Sequence, residues 1–217
     1  MNKGNAEAGP AIGMGAYLER SMSFGEYSDL IDRLVEDGKT SGPIQTEKLA
    51  AYTLLNRQRM RRLSKTIVVP DSVKDAAQMA DRKRIWLVIT EAWCGDAAQA
   101  IPAIEAVARL APNVTTRYIL RDEDTGLIDR FLTNGGRSIP KVICLDAETL
   151  GILGTWGPRP SAAQEYFAEM KAEGIEKPKA MEQLQRWYNS DRASSILSEF
   201  ETFLLNCGNE APERAAV

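Results

Sequence analysis

Apolar residues at Phe24, Tyr27, Leu30, Ile31, Leu34 and Val35 recur at helical spacing, which predicts a helix over 24–37 stopped at Gly38. Thr40-Ser41-Gly42-Pro43 is a turn cluster, and a second helix is predicted from about Thr46 to Lys65 through Leu49, Tyr52, Leu55 and Met60. The period then shortens. Thr66-Ile67-Val68-Val69 reads as a short β-branched strand ended by Pro70, and Asp71-Ser72 opens a helix through about Ala80. Ile85 to Thr90 is a nearly continuous apolar run, the pattern of a central buried strand. Ala97 to Leu110 reads as a helix with Pro102 inside it, Thr115 to Leu120 as a strand, and Thr125 to Leu132 as a helix stopped by Asn134-Gly135-Gly136. Lys141 to Asp146 and about Leu150 to Trp156 form a hairpin, followed by a helix from Ser161 to about Glu173. Lys177-Pro178 breaks the chain before two further helices, about 179–189 and 191–206, the second capped by Ser190 or Asp191. The order from residue 66 is β-α-β-α-β-α-β-β-α, which predicts an α/β fold: a mixed sheet flanked by helices.

Composition adds boundaries to this picture. The chain has 217 residues, 44% hydrophobic and 26% charged, which suits one domain with extensions or two small domains. Residues 1–20 read as a flexible arm, 21–65 as an N-terminal helical extension, 66–173 as the main domain, 174–207 as a C-terminal helical extension and 208–217 as a flexible tail. The formal net charge of −3 gives no global basic field, so nucleic acid is not an expected partner. Arg57, Arg59, Arg61, Arg62 and Lys65 cluster on the second helix but lack interleaved aromatics, and they read as a solvated face. The absence of histidine removes imidazole-based metal sites and the Ser-His-Asp arrangement. No stretch reaches 18 apolar residues and the N-terminus lacks a signal-peptide core, so no membrane partner is expected. Three widely spaced cysteines, Cys94, Cys144 and Cys207, fit a reducing compartment, and the expected location is cytoplasmic.

The candidate chemistry lies at Trp93-Cys94-Gly95-Asp96, where the apolar strand gives way to the Pro102 helix. A thiol at a helix N-terminus sits in positive backbone potential, which favours thiolate. Glu91 and Asp96 oppose this, because neighbouring negative charge raises a thiol pKa. Ala97 occupies the position that would complete a Cys-x-x-Cys pair. Cys144 lies four residues beyond Pro140, roughly 13 Å down a strand, and reads as a core residue. Cys207 reads as a free terminal thiol, which would reach Cys94 only if the tail folded back, or which could pair between molecules. Arg121-Asp122-Glu123-Asp124 lacks the spacing of a calcium loop, and no metal or cofactor is expected. Arg137 reads either as an anion contact or as a solvent-facing loop residue, and Trp156 and Trp187 as packing residues.

Four features together resemble the thioredoxin superfamily over roughly residues 66–173. They are Trp93-Cys94-Gly95 between strand and helix, Pro102 eight residues after the cysteine, Ile139-Pro140 with the proline 46 residues after it, and Gly157 after the hairpin. The resemblance implies that Pro140 is a cis-proline shielding the sulfur and that Ile139 pairs its backbone with an extended substrate. The implied groove comprises Trp93, Gly95, Asp96, Ala97, Ile139 and Pro140 around Cys94. The departures are correlated. Ala97 replaces the resolving cysteine, Val88 stands where the family carries a buried acid, and Tyr118 aligns with the lysine that accompanies that acid. The resemblance therefore implies a monothiol protein forming mixed disulfides through Cys94 in cell redox homeostasis. Its partner would be a protein or low-molecular-weight thiol or disulfide, with an external thiol resolving the product. The competing reading is a non-catalytic module that binds a partner through the groove and appended helices. The oligomeric state is left open.

Overall fold

The computed structural model describes residues 13–207. Four strands, β1 (Arg84–Thr90), β2 (Val114–Leu120), β3 (Lys141–Asp146) and β4 (Ile152–Trp156), form one sheet in the order β2-β1-β3-β4. The β1–β2 pair is parallel, and the β1–β3 and β3–β4 pairs are antiparallel. Every residue of β1 except Ile85 is buried, and β3 is buried throughout. Successive strand side chains point to opposite faces, so helices and loops cover both faces of this sheet.

Among the described residues eight α-helices surround it: α1 (Met14–Glu19), α2 (Phe24–Glu36), α3 (Glu47–Thr66), α4 (Asp71–Met79), α5 (Gly95–Ala108), α6 (Ser161–Ala172), α7 (Lys177–Asp191) and α8 (Ser194–Asn206). The start of α2 is fixed by a reciprocal capping box between Ser23 and Glu26. On one sheet face Trp86 and Trp156 meet Phe200 of α8, with ring centroids 5.1 and 5.0 Å apart, and Tyr27 of α2 stacks on Tyr118 at 5.2 Å. The mixed sheet flanked by helices agrees with the pattern of the sequence, as do the two C-terminal helices.

Several elements differ from expectation. Residues 66–69 form no strand: α3 runs on through Thr66, and Val68 is 83% exposed. The outer edge of β2 is taken instead by Met22, whose backbone exchanges two 2.7 Å hydrogen bonds with Tyr118. β-branched residues without a free sheet edge have no ladder to join. The helix expected over 125–132 shrinks to one 3-10 turn, Ile128–Arg130, because the Asp124 carboxylate holds the Gly126 amide in a turn and Asn134 and Gly135 reverse the chain. The arm expected over 1–20 does not extend that far. Residues 14–19 are α1, with Met14 and Tyr17 buried and Arg20 paired to Asp124, while residues 1–12 and the tail over 208–217 lie outside the described residues. Pro178 does not break a helix; it sits in the first turn of α7, where its missing N–H costs nothing. Residues Arg192 and Ala193, both at positive φ, separate α7 from α8. Ala193 holds the cap position of α8, and the Asp191 carboxylate accepts the Ser195 amide.

Gly157 follows β4 with φ of 109°, and a Cβ there would fall inside the contact distance of the Pro140 carbonyl oxygen. This close approach sets the position of the loop before β3. A Gly157→Ala variant is expected to lose about 2–4 kcal/mol of folding stability, measured by urea denaturation. A loss under about 0.5 kcal/mol would contradict the contact.

Candidate active site

Cys94 is the N-cap of α5, and its sulfur accepts the Ala97 amide at 3.5 Å. Its S–H donates to the Ile139 carbonyl at 3.3 Å, and the Ile139–Pro140 peptide bond is cis. The structure thus brings Cys94, Gly95, Asp96, Ala97, Ile139 and Pro140 to one place between the end of β1 and the start of β3. Trp93 lies half-buried beside them, with the Arg121 guanidinium 5.0 Å over its ring.

The site is closed from two directions. Asp96, in the first turn of α5, is buried and accepts two bonds from Arg159, at 2.9 and 2.7 Å, and one from the Tyr188 hydroxyl of α7 at 3.1 Å. Arg159 also lies 4.4 Å over the Phe167 ring of α6. Gln185 of α7 accepts from Gln99 at 2.9 Å, and its amide nitrogen lies 3.3 Å from where a side chain on Gly95 would begin. From the other side, Asn56 of α3 donates to the Ala92 carbonyl at 2.9 Å, and Ser41 bridges the Ala92 amide and the Glu91 carboxylate. Glu91 also accepts the Asp122 amide at 2.7 Å. Burial raises the Glu91 pKa, against the hydrogen bonds from Ser41 and Asp122.

These contacts decide the state of the thiol. Cys94 is 7% exposed, and its pKa is pushed up to about 12. Burial is the main cause and the Asp96 charge the second; the Ala97 and Asp96 amides and Arg159 act in the opposite sense. The helix terminus does not win here. Beneath the site, Val88 pairs with Tyr118 across β1 and β2, and the Tyr118 hydroxyl donates to Glu105 at 2.6 Å. The two positions that the resemblance matches to an acid and a lysine therefore hold an apolar side chain and a phenol bound to Glu105.

The remaining candidates lie elsewhere. Arg137 pairs with Asp129 at 2.6 Å and is half exposed. Among the described residues no group of three or more Cys, Asp or Glu side chains could hold a metal ion. Cys144 is buried in β3, as expected of a core residue. Cys207 is a free thiol at the end of the last helix, as expected, but a buried one. It is 4% exposed, packs against Gly154 of β4, and does not fold back to Cys94. Sequence reasoning missed Arg159, Tyr188 and Gln185, because they lie 63, 92 and 86 residues from their partners.

A family model described as Thioredoxin matches residues 42–171, and the chain belongs to that family. A crystal structure of a protein of unknown function from Pseudomonas aeruginosa superposes with a TM-score of 0.62 at 18% identity, covering 89% of this chain and 98% of that one. An HIV epitope scaffold matches at 20% identity and a TM-score of 0.49, covering 83% of this chain and 99% of that one. The first likeness establishes the fold. No curated protein matches the chain.

The high Cys94 pKa has a consequence for stability. The unfolded chain loses this proton near the ordinary thiol value of 9.0, while the folded chain keeps it to about 12. Between these values the unfolded state binds fewer protons, so the contribution is complete below the lower pKa and is lost as pH rises. The slope is at most about 1.4 kcal/mol per pH unit. A Cys94→Ala variant is expected to show a flatter fall in stability between pH 9 and 10.5 in urea titrations. Parallel curves would contradict a buried, protonated Cys94.

Proposed function

We propose that this protein carries out thiol–disulfide exchange through one thiol, Cys94, and that the resting fold holds that thiol in reserve. The observation that carries this reading is the Cys94 sulfur lying between the Ala97 amide and the Ile139 carbonyl, beside the cis peptide bond. A disulfide substrate pairing with the Ile139 backbone would meet the sulfur directly. Cys94 loses its proton and attacks one sulfur of the disulfide. That bond breaks, one thiolate leaves and takes up the proton, and a mixed disulfide remains on Cys94. Ala97 supplies no second thiol, so an external thiol attacks the mixed disulfide, releases Cys94 and leaves with the substrate fragment. The partners are a protein or low-molecular-weight thiol or disulfide, and the role is redox homeostasis in a reducing, cytoplasmic compartment. Among the described residues no helix is long and apolar enough to cross a membrane.

Burial and the Asp96 charge set the reserve. Opening of α7 away from α5 would return Cys94 toward ordinary thiol reactivity. A second reading, a partner-binding module without exchange chemistry, is favoured by the same burial.

Incubation with oxidised glutathione separates the two. The expected result is a glutathione adduct on Cys94, absent in Cys94→Ser and formed about tenfold faster in Asp96→Asn, which removes a charge opposing the thiolate. Partner proteins trapped from cells should disappear with Cys94→Ser. Partners retained by that variant, with no adduct on the wild type, would replace exchange by the binding module.

A further inference from the structure

The other two cysteines, 63 residues apart in sequence, meet at the opposite end of β3. Cys144 pairs across the sheet with Trp86 of β1 and Gly154 of β4, so these three residues share one face, and that face lies under α8. Cys207 ends α8. Its sulfur lies 3.0 Å from where a Cβ on Gly154 would stand, so the missing side chain of Gly154 is the space that seats it. Gly154 stands directly opposite Cys144, so the Cys207 sulfur seated on Gly154 lies beside Cys144 on the same face of the sheet. Both residues are buried, at 0% and 4% exposure, and both are free thiols.

A cation backs the pair. Arg84 is buried at the start of β1, and its guanidinium donates to the Leu204 carbonyl in the last turn of α8 at 2.6 Å. The Arg84 Nε has no partner of its own. The hydrogen bond from Cys207 lowers the Cys144 pKa, with Arg84 and the Trp86 indole acting in the same sense and burial against it. The Cys207 pKa is raised, first by its bond to Cys144 and then by burial. One sulfur is thus biased toward thiolate and the other toward thiol, side by side under α8 in a positive setting, an arrangement that suits thiol–disulfide exchange.

We propose that Cys144 and Cys207 are a second redox couple: a buried dithiol that a low-molecular-weight disulfide converts into an intramolecular disulfide tying α8 to β3. The Cys207 amide makes the last bond of α8, to Phe203 at 3.0 Å, and loosening of that turn exposes the Cys207 thiol. Freed there from burial and from its contact with Cys144, Cys207 loses its proton and attacks the small disulfide, whose S–S bond breaks. One small thiolate leaves and takes up the Cys207 proton. When the turn closes, Cys144 attacks the Cys207 sulfur, the protein disulfide forms, and the second small thiolate leaves with the Cys144 proton. Two protein thiols are oxidised by two electrons, and one small disulfide is reduced to two thiols. The product closes a long loop, which stabilises the folded chain.

The test uses the full chain carrying Cys94→Ser, so that the couple reports independently of the reading proposed for Cys94. Reduced protein in native buffer is treated with oxidised glutathione and mapped by mass spectrometry without reductant. The expected result is loss of both free thiols, a Cys144–Cys207 cross-linked peptide, no residual glutathione adduct, and a higher thermal midpoint than the reduced protein. Adding Cys207→Ser should abolish the cross-link. A stable glutathione adduct on Cys207, a Cys207–Cys207 dimer, or two thiols still free in the native protein would overturn the proposal.

Discussion

A carboxylate in the first turn of a helix cannot be buried without partners, and Asp96 is buried. The cost of taking one charge out of water runs to several kcal/mol, so the fold supplies Arg159 and the Tyr188 hydroxyl. Arg159 stands just before α6 and Tyr188 on α7. Satisfying this one side chain therefore draws the C-terminal extension across the N-terminus of α5. The Gln99–Gln185 bond and the fit of α7 over Gly95 follow from that placement. Removing one partner of such a buried pair costs about 3–5 kcal/mol, far more than any exposed ion pair on this surface.

The same closure governs the sulfur. A helix N-terminus favours a neighbouring anion by about 0.3–2 kcal/mol. Raising the Cys94 pKa from 9.0 to about 12 corresponds to about 4 kcal/mol against the thiolate. Burial and the Asp96 charge outweigh the helix end, so the geometry of an exchange site coexists with a protonated thiol. At the far end of β3 the balance differs: Arg84 and the paired thiol Cys207 favour charge on Cys144. The chain keeps one thiol closed under α7 and two under α8.

The features legible in the sequence were those with local signatures. Trp93-Cys94-Gly95, Pro102, Ile139-Pro140 and Gly157 marked the fold through the resemblance they carry, and the nearly continuous apolar run Ile85–Thr90 marked the central strand. The strand expected over 66–69 failed because propensity does not reveal whether a sheet edge is free, and Met22 had taken it. The state of Cys94 was not legible because Tyr188 and Arg159 reach it through the fold, with no sequence proximity. The Cys144–Cys207 contact was hidden for the same reason, and Gly154, the residue that admits it, reads in the sequence as an ordinary strand glycine.

Burial of Cys94 and the charge of Asp96, which Tyr188 of α7 helps to hold in place, oppose the thiolate in the resting fold. The direct measurement is the alkylation rate of Cys94 at pH 8, resolved by peptide, in the native chain and in the same chain unfolded in urea. A shift in pKa from 9.0 to about 12 lowers the thiolate fraction, and with it the rate, on the order of a hundredfold to a thousandfold in the native state. A native rate equal to or faster than that of the unfolded chain would mean an open, activated thiolate and would contradict the account.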